Sequence, residues 1–222
     1  MKIKYSIIVP VYNCQYIIEK LTIKIIKEIK LYSYSFEIIL VDDNSQDKSW
    51  DILKNLRDRS KKIKIFKNKK NIGQHLTVIK GLSRSKGENI FIIDGDLEDD
   101  PKNFKKFIKK KDNKTCLFGL VSSDNNKGYI SYFFWTIFSY LTKINKNYRS
   151  TTFCLIPRSS AMKLLKLKNI GFIYAELYKL NENIEFVVYK KNKKSRIKKG
   201  YNYLKLILFG LKILFIYIFV KR

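Results

Sequence analysis

The chain has 222 residues, 45% of them hydrophobic and 14% aromatic, and carries 46 Lys+Arg against 19 Asp+Glu for a formal net charge of +27. This hydrophobic content excludes a disordered chain, and the length suffices for one domain with a substantial core. The charge does not choose a fold; it narrows the partners to nucleic acid, an anionic membrane surface or phosphate-bearing ligands. Cys14, Cys116 and Cys154 are too few and too scattered for a disulfide framework or a zinc site, which fits a reducing compartment.

In chain order, Lys4 to Pro10 reads as a strand closed by Pro10, and Met1 to Pro10 is too short for a secretory leader. Tyr12, Asn13 and Cys14 form the next turn. From Gln15 to about Leu31, apolar residues at Ile17, Ile18, Leu21, Ile25, Ile26 and Ile29 have helical spacing. Phe36 to Val41 is a second buried strand, ending in Asp42-Asp43-Asn44-Ser45. Asp47 is placed to cap a helix with Trp50, Leu53 and Leu56 on its inner face. Lys62 to Phe66 is a third strand, 71–74 a turn, and His75 to Ser85 a third helix. Gly87 breaks that helix before the strand Ile90 to Ile93. Four strand-helix alternations argue for an α/β fold, a mostly parallel central sheet with helices on both faces.

The fourth strand ends abruptly in acids, with five between Asp94 and Asp100. Asp94, Gly95 and Asp96 therefore lie at the carboxyl end of a core strand, where open α/β sheets put their ligands. Carboxylates there suit a hard divalent cation, which is often held by one or two carboxylates plus substrate phosphates. Asp99 and Asp100 fit the first turn of a helix begun by Pro101.

Beyond Pro101, Phe104, Phe107 and Ile108 suggest a short helix and Thr115 to Val121 a strand. Ser122 to Gly128 is turn-rich. Tyr129 to Leu141 is aromatic and helical in pattern, its rings serving the core or membrane-side packing rather than a sugar platform. Thr151 to Ile156 reads as a strand, Arg158 to Leu167 as a helix and Glu185 to Tyr189 as the last strand. A basic run, Lys190 to Lys199, then precedes an apolar tail, Tyr201 to Val220. The continuous part from Leu206 is shorter than the roughly 20 residues a span needs. The pairing of basic run and apolar helix is that of an interfacial element on an anionic leaflet. The division is thus 1–190 for the α/β domain and 191–222 for a membrane-proximal element.

Four polar groups converge at the ends of the first four strands: Pro10-Tyr12-Asn13, Asp42-Asp43, Asn71-Gly73-Gln74 and Asp94-Asp96. Together they outline a nucleotide pocket. No phosphate-binding P-loop, Gly-x-Gly-x-x-Gly or nucleophile elbow accompanies them. These segments, in this order, resemble family 2 glycosyltransferases of the GT-A type. The polyprenyl-phosphate sugar synthase branch is most similar, over residues 3 to about 105.

The resemblance implies a metal-dependent transfer of sugar from a nucleotide-diphosphate donor to a polyprenyl phosphate. Pro10, Tyr12, Asn13, Asp42, Asp43, Gly73, Gln74 and Asp94 would serve the nucleotide. Asp94 and Asp96 would be the catalytic Asp-x-Asp pair, with Asp96, Asp94 and Glu98 holding Mg2+ or Mn2+. Glu98 stands where this branch usually has Gln, and Cys14 where it often has Glu. Arg149, Lys194 and Arg196 are the phosphate contacts expected on the acceptor side. The setting would be the cytoplasmic face of a membrane. A lipid phosphate is already ionised, with a second pKa of about 6, so it needs no general base. A saccharide hydroxyl would need one, for which Asp124 and Glu176 are the candidates. Two other functions compete. One is nucleic-acid binding, against which acids sit where the ligand should be and no recognition module is visible. The other is a relative that binds nucleotide-sugar without turnover. His75, the only histidine, is open to a capping, packing or catalytic role.

Overall fold

The sequence Tyr5-Ser6-Ile7-Ile8-Val9-Pro10-Val11 forms the central strand β1, and all seven residues are buried. Its odd residues enter one apolar layer and Ile8 enters the other, because successive side chains alternate across a sheet. In the computed structural model this strand organises everything around it. The structure describes residues 2–122 and 152–192, except 169, 171, 181 and 182, together with isolated positions 136, 137, 139, 140, 211 and 215.

Around β1 lie α1 (Ile18–Lys30), β2 (Phe36–Asp42), α2 (Ser49–Arg59), β3 (Ile63–Lys67), α3 (Gln74–Arg84) and β4 (Asn89–Ile92). A 3-10 turn at Pro101–Asn103 leads into α4 (Phe104–Lys110) and β5 (Cys116–Val121). After these come β6 (Cys154–Pro157), α5 (Arg158–Leu165), α6 (Ile173–Leu180) and β7 (Ile184–Tyr189). The sheet order is β3-β2-β1-β4-β6-β5-β7. Only β6 runs antiparallel to its neighbours β4 and β5; the other pairings are parallel. Helices α1, α2 and α4 pack on one face and α3, α5 and α6 on the other. The expected α/β architecture is therefore the one observed.

Several boundaries differ in ways that matter. Strand β1 does not close at Pro10 but runs to Val11, which pairs with Asp42. The missing Pro10 N–H does no harm there. Residues two apart face the same neighbour, so Pro10, like Ile8, faces β4, and β4 pairing has ended at Ile92. Helix α6 was not anticipated. It is only eight residues long, though Ile173 and Leu177, buried in its core face, have helical spacing. The stretch 123–128, most of the aromatic segment 129–141 and most of the tail 201–220 lie outside the described residues. No helix among the described residues is long and apolar enough to cross a membrane.

The amino ends of the strands are tied together by one buried acid. Glu37 of β2 accepts from Ser6 Oγ (2.6 Å), the Lys86 amide (2.6 Å) and Lys64 Nζ (2.5 Å). Ser6 Oγ in turn accepts from the Gly87 amide at 2.8 Å. A Cβ at position 87 would lie 2.5 Å from the Ser6 nitrogen, so this close approach requires glycine. Burial pushes the Glu37 carboxyl up, but Lys64, Ser6 and the Lys86 amide together outweigh it and hold its pKa below the ordinary value. A carboxyl lowered in the folded state stabilises above its unfolded pKa near 4.5, and that stability is lost as pH falls through the folded value. Glu37→Gln should cost about 3 kcal/mol at pH 7, the low end for a broken buried pair, because Lys64 keeps 34% of its side chain in water. Urea denaturation at pH 7 and pH 4 checks this. The wild-type midpoint should fall more between the two than that of the variant.

Candidate functional site

The loops after β1 and β2 are fastened to each other before any ligand is considered. The Asn13 amide donates to Ser45 Oγ (3.0 Å) and its Oδ1 accepts from the Gln46 amide (2.9 Å). The Cys14 amide donates to Ser49 Oγ, the Gln15 amide to Asp47 Oδ2, and the Lys48 amide to Gln15 Oε1. Asp47 Oδ1 also accepts from the Ser49 amide at the start of α2. Asn13 and Asn44 adopt positive φ, +50° and +60°, which asparagine tolerates better than most residues. Asn13 thus acts on loop shape. Tyr12 stays 48% exposed beside it, leaving a ring face available.

Asp42 and Asp43 differ sharply despite being adjacent. Asp42 is fully buried; its Oδ2 accepts from the Ser45 amide (3.1 Å), while Oδ1 has no hydrogen-bond partner among the described residues. Buried carboxylate oxygens are rarely left unsatisfied, so Asp42 Oδ1 is an acceptor waiting for a donor. Asp43 is saturated from within. Its Oδ1 accepts from Asn68 Nδ2 (2.8 Å) and the Ile72 amide (2.9 Å), and its Oδ2 from the Gly73 amide (2.8 Å). Gly73, with φ +87°, then turns the chain into α3.

Gln74, the first residue of α3, donates through Nε2 to Asp94 Oδ1 at 2.6 Å. Thr152, just ahead of the antiparallel strand β6, donates to Asp94 Oδ2 at 2.6 Å. Gly95 lies against β1; a Cβ there would sit 2.9 Å from the Pro10 carbonyl oxygen. Asp96 Oδ1 accepts from the Glu98 amide (2.9 Å), bending the chain so that Leu97 takes φ +62°. Burial pushes the Asp94 carboxyl well above the usual carboxylate range, and neighbouring Asp99 and Asp96 add to it. Asp96 is raised as well, burial being the largest cause. More negative charge is gathered here than the local protein solvates, as expected where carboxylates await a cation.

The rest of the acidic stretch holds two surprises. Asp100 caps the 3-10 turn as expected, accepting from the Lys102 amide, and pairs with Lys24 at 2.7 Å. Asp99 does not serve the helix. It is fully buried, and its Oδ1 accepts from the Tyr189 hydroxyl at 2.5 Å. Tyr189 is held for this by edge packing on Phe153, in a cluster with Phe91, Phe104 and Phe107. Lys191, the second residue of the basic run, turns inward: its Nζ lies 3.1 Å from Glu98 Oε2 and 3.9 Å from Asp99 Oδ1. Burial works against the ammonium, but Asp99 and Glu98 outweigh it, so its pKa is raised.

The donor set can be tested against a divalent cation. Among the described residues, no three acidic, His or Cys side chains form a ready-made cage. Asp94 is turned toward Gln74 and Thr152, and Glu98 toward Lys191. Asp96 commits one oxygen to a backbone amide and so fits best as the direct ligand. One carboxylate completed by substrate phosphates is a set that Mg2+ or Mn2+ accepts. The residues present therefore fit the ion, with Asp94 and Glu98 as supporting carboxylates. His75 packs edge-on against Phe172 (4.7 Å) and Tyr174 (5.8 Å), and burial lowers its pKa to about 4. It is a neutral packing residue at neutral pH. Glu176 is buried in α6. Arg149, Lys194, Arg196 and Asp124 lie outside the described residues.

The mostly parallel sheet, with polar loops at its carboxyl ends, has the GT-A type of α/β fold. The sequence matches Glycosyl transferase family 2 over residues 6–170, and the chain belongs to that family. It is 27% identical over 174 residues to the glycosyltransferase YkcC of Bacillus subtilis, covering 75% of this chain and 54% of that protein. It is 30% identical over 121 residues to an undecaprenyl-phosphate 4-deoxy-4-formamido-L-arabinose transferase of Edwardsiella ictaluri, covering 54% of this chain and 37% of the relative. The chain thus spans about half, or less, of the length of these relatives. Among solved structures, glucosyl-3-phosphoglycerate synthase from Mycobacterium tuberculosis, with Mn2+ and UDP bound, superposes with a TM-score of 0.66 at 13% identity, over 95% of this chain and 77% of that one. TarS of S. aureus in complex with UDP superposes with a TM-score of 0.59 at 18% identity, over 96% of this chain and 66% of that one.

Proposed function

We propose that the chain transfers a sugar from a nucleotide-diphosphate donor to a polyprenyl phosphate, on the cytoplasmic face of a membrane. The observation that carries the donor side is Asp42: a buried carboxylate oxygen without a donor among the described residues, at the carboxyl end of β2 beside Val11 of β1. A nucleobase N–H is the donor that completes it, and the exposed Tyr12 ring offers a stacking surface. Pro10 and Asn13 shape this pocket through backbone course and loop locking. Asp43 supports it indirectly by fixing the 71–73 backbone, and Gln74 and Thr152 hold Asp94 in one orientation.

Asp96 would be the direct ligand of Mg2+ or Mn2+. The bound ion supplies Lewis-acid stabilisation of the departing diphosphate. Asp94, fixed from both sides, keeps a negative wall behind that site and limits reorganisation during the reaction. The lipid-phosphate acceptor rests on the relatives named for undecaprenyl phosphate and on chemistry, since an ionised phosphate attacks without a general base. Glu176, the hydroxyl-activating alternative inside the described residues, is buried in a helix. The basic run and apolar tail of the sequence suit a bilayer surface.

The test offers the full chain a panel of UDP- and GDP-sugars with Mn2+ or Mg2+ and polyprenyl phosphate in detergent. Formation of a lipid-linked sugar, abolished by EDTA, is the expected result. Transfer only to saccharides would overturn the acceptor assignment, and nucleotide binding without any transfer would overturn turnover itself.

A further inference from the structure

We propose that Lys191 is a resident counter-ion of the acid cluster, handed from Glu98 to Asp99 when a divalent cation binds. The proposal rests on the reading of Asp96 as a metal ligand and adds a device to it. Three observations carry it. The ammonium lies within hydrogen-bond distance of Glu98 Oε2 (3.1 Å) and stops short of Asp99 Oδ1 (3.9 Å). Asp99 is fully buried and its Oδ2 has no hydrogen-bond partner among the described residues, so this carboxylate keeps acceptor capacity for an approaching ammonium. The backbone around Lys191 is tethered on both sides, by the Tyr189 hydroxyl on Asp99 and by the Asn192 amide on the Glu98 carbonyl oxygen (2.8 Å). The side chain can therefore change partners through a shift of about 1 Å without the strand end moving.

The physical logic is competition. Glu98 lies one residue beyond Leu97 from Asp96, and the Glu98 amide is bonded to Asp96 Oδ1. A divalent cation on Asp96 and the Lys191 ammonium on Glu98 repel each other at close range. Glu98 adds a further negative charge to the cluster, and Lys191 balances it until the cation arrives. Lys191 thus holds down the metal affinity of the free chain. It also links metal arrival to residues 191 and 192, where the basic run begins.

Mn2+ binding to the full chain, measured by EPR with UDP or GDP present and absent, tests this without any turnover. Lys191→Met should tighten Mn2+ binding about five- to tenfold, while Lys190→Met, which removes the same charge from an exposed neighbour, should change it less than about twofold. Unchanged or weaker binding in Lys191→Met overturns the counter-ion role while leaving the donor site standing. Absence of Mn2+ binding by the wild type under all conditions overturns both this role and the metal reading beneath it. A second readout avoids any folding defect of the variant: in the wild type, the Lys191 side-chain 15N resonance should shift as Mg2+ saturates while that of Lys190 stays. An unmoved Lys191 resonance with Mg2+ bound overturns the exchange.

Discussion

Asp96→Asn should lower sugar transfer by about three orders of magnitude with little change in stability. Metal stabilisation of a leaving diphosphate is worth several kcal/mol, and each 1.36 kcal/mol is tenfold in rate. The fold should tolerate the change because the carboxylate draws its hydrogen bonds from backbone amides, chiefly that of Glu98, which an Asn Oδ1 can still accept. Initial rates with saturating metal and nucleotide-sugar check this, alongside a thermal melt that should move little. Turnover within tenfold of wild type would remove Asp96 from the reaction. The parallel change Asp94→Asn is less clean, since an amide nitrogen would face either the Gln74 or the Thr152 donor.

The second large effect belongs to Asp43 and has a different signature. Asp43→Ala strips acceptors from two consecutive backbone amides, Ile72 and Gly73, and from Asn68 Nδ2. Hydrogen bonds to a charged group are worth about 1.5–3 kcal/mol each, but Gly73 and Asn68 keep second acceptors in Asn71 Oδ1 and Thr77 Oγ1, so a loss of about 2–4 kcal/mol in folding stability is expected. The 71–73 turn also delivers Gln74 to Asp94, so nucleotide affinity should fall about tenfold or more even at temperatures where the variant stays folded. Denaturant melts and nucleotide titrations on the same sample separate the two losses. Wild-type stability would show that the three bonds are replaceable by water, and wild-type affinity would uncouple the loop from the pocket.

What was legible in the sequence was whatever lay in one continuous segment. Phe36 to Val41 and Ile90 to Ile93 announce buried strands through unbroken apolar runs, and acids following them at once mark the strand ends. The placement of Asp42, Asp43, Asp94 and Asp96 at strand ends was therefore readable without a structure. Their division of labour was not, because it depends on partners brought by the fold. Asp43 looked equivalent to Asp42 until Asn68 and the 72–73 amides were seen closing on it. Asp99 looked like a helix-turn acid because it precedes Pro101, whereas the pairing of β5 with β7 carries Tyr189 beneath it. Lys191 read as part of a basic run facing an anionic leaflet, whereas its ammonium lies against Glu98. Thr152 could not be placed without knowing that β6 inserts antiparallel between β4 and β5. Glu37 gave no sign of its role within the apolar strand, because its three donors come from three distant segments.

The proposed transfer requires first that a nucleotide diphosphate bind near Asp42 and Asp96 through a divalent cation. Calorimetric titration of UDP and GDP into the full chain, with Mn2+ and then with EDTA, tests it most directly. One of the two nucleotides should bind with Mn2+, lose at least tenfold in affinity in EDTA, and lose its metal dependence in Asp96→Asn. Equal binding with and without metal, or no binding of either nucleotide, would contradict the account.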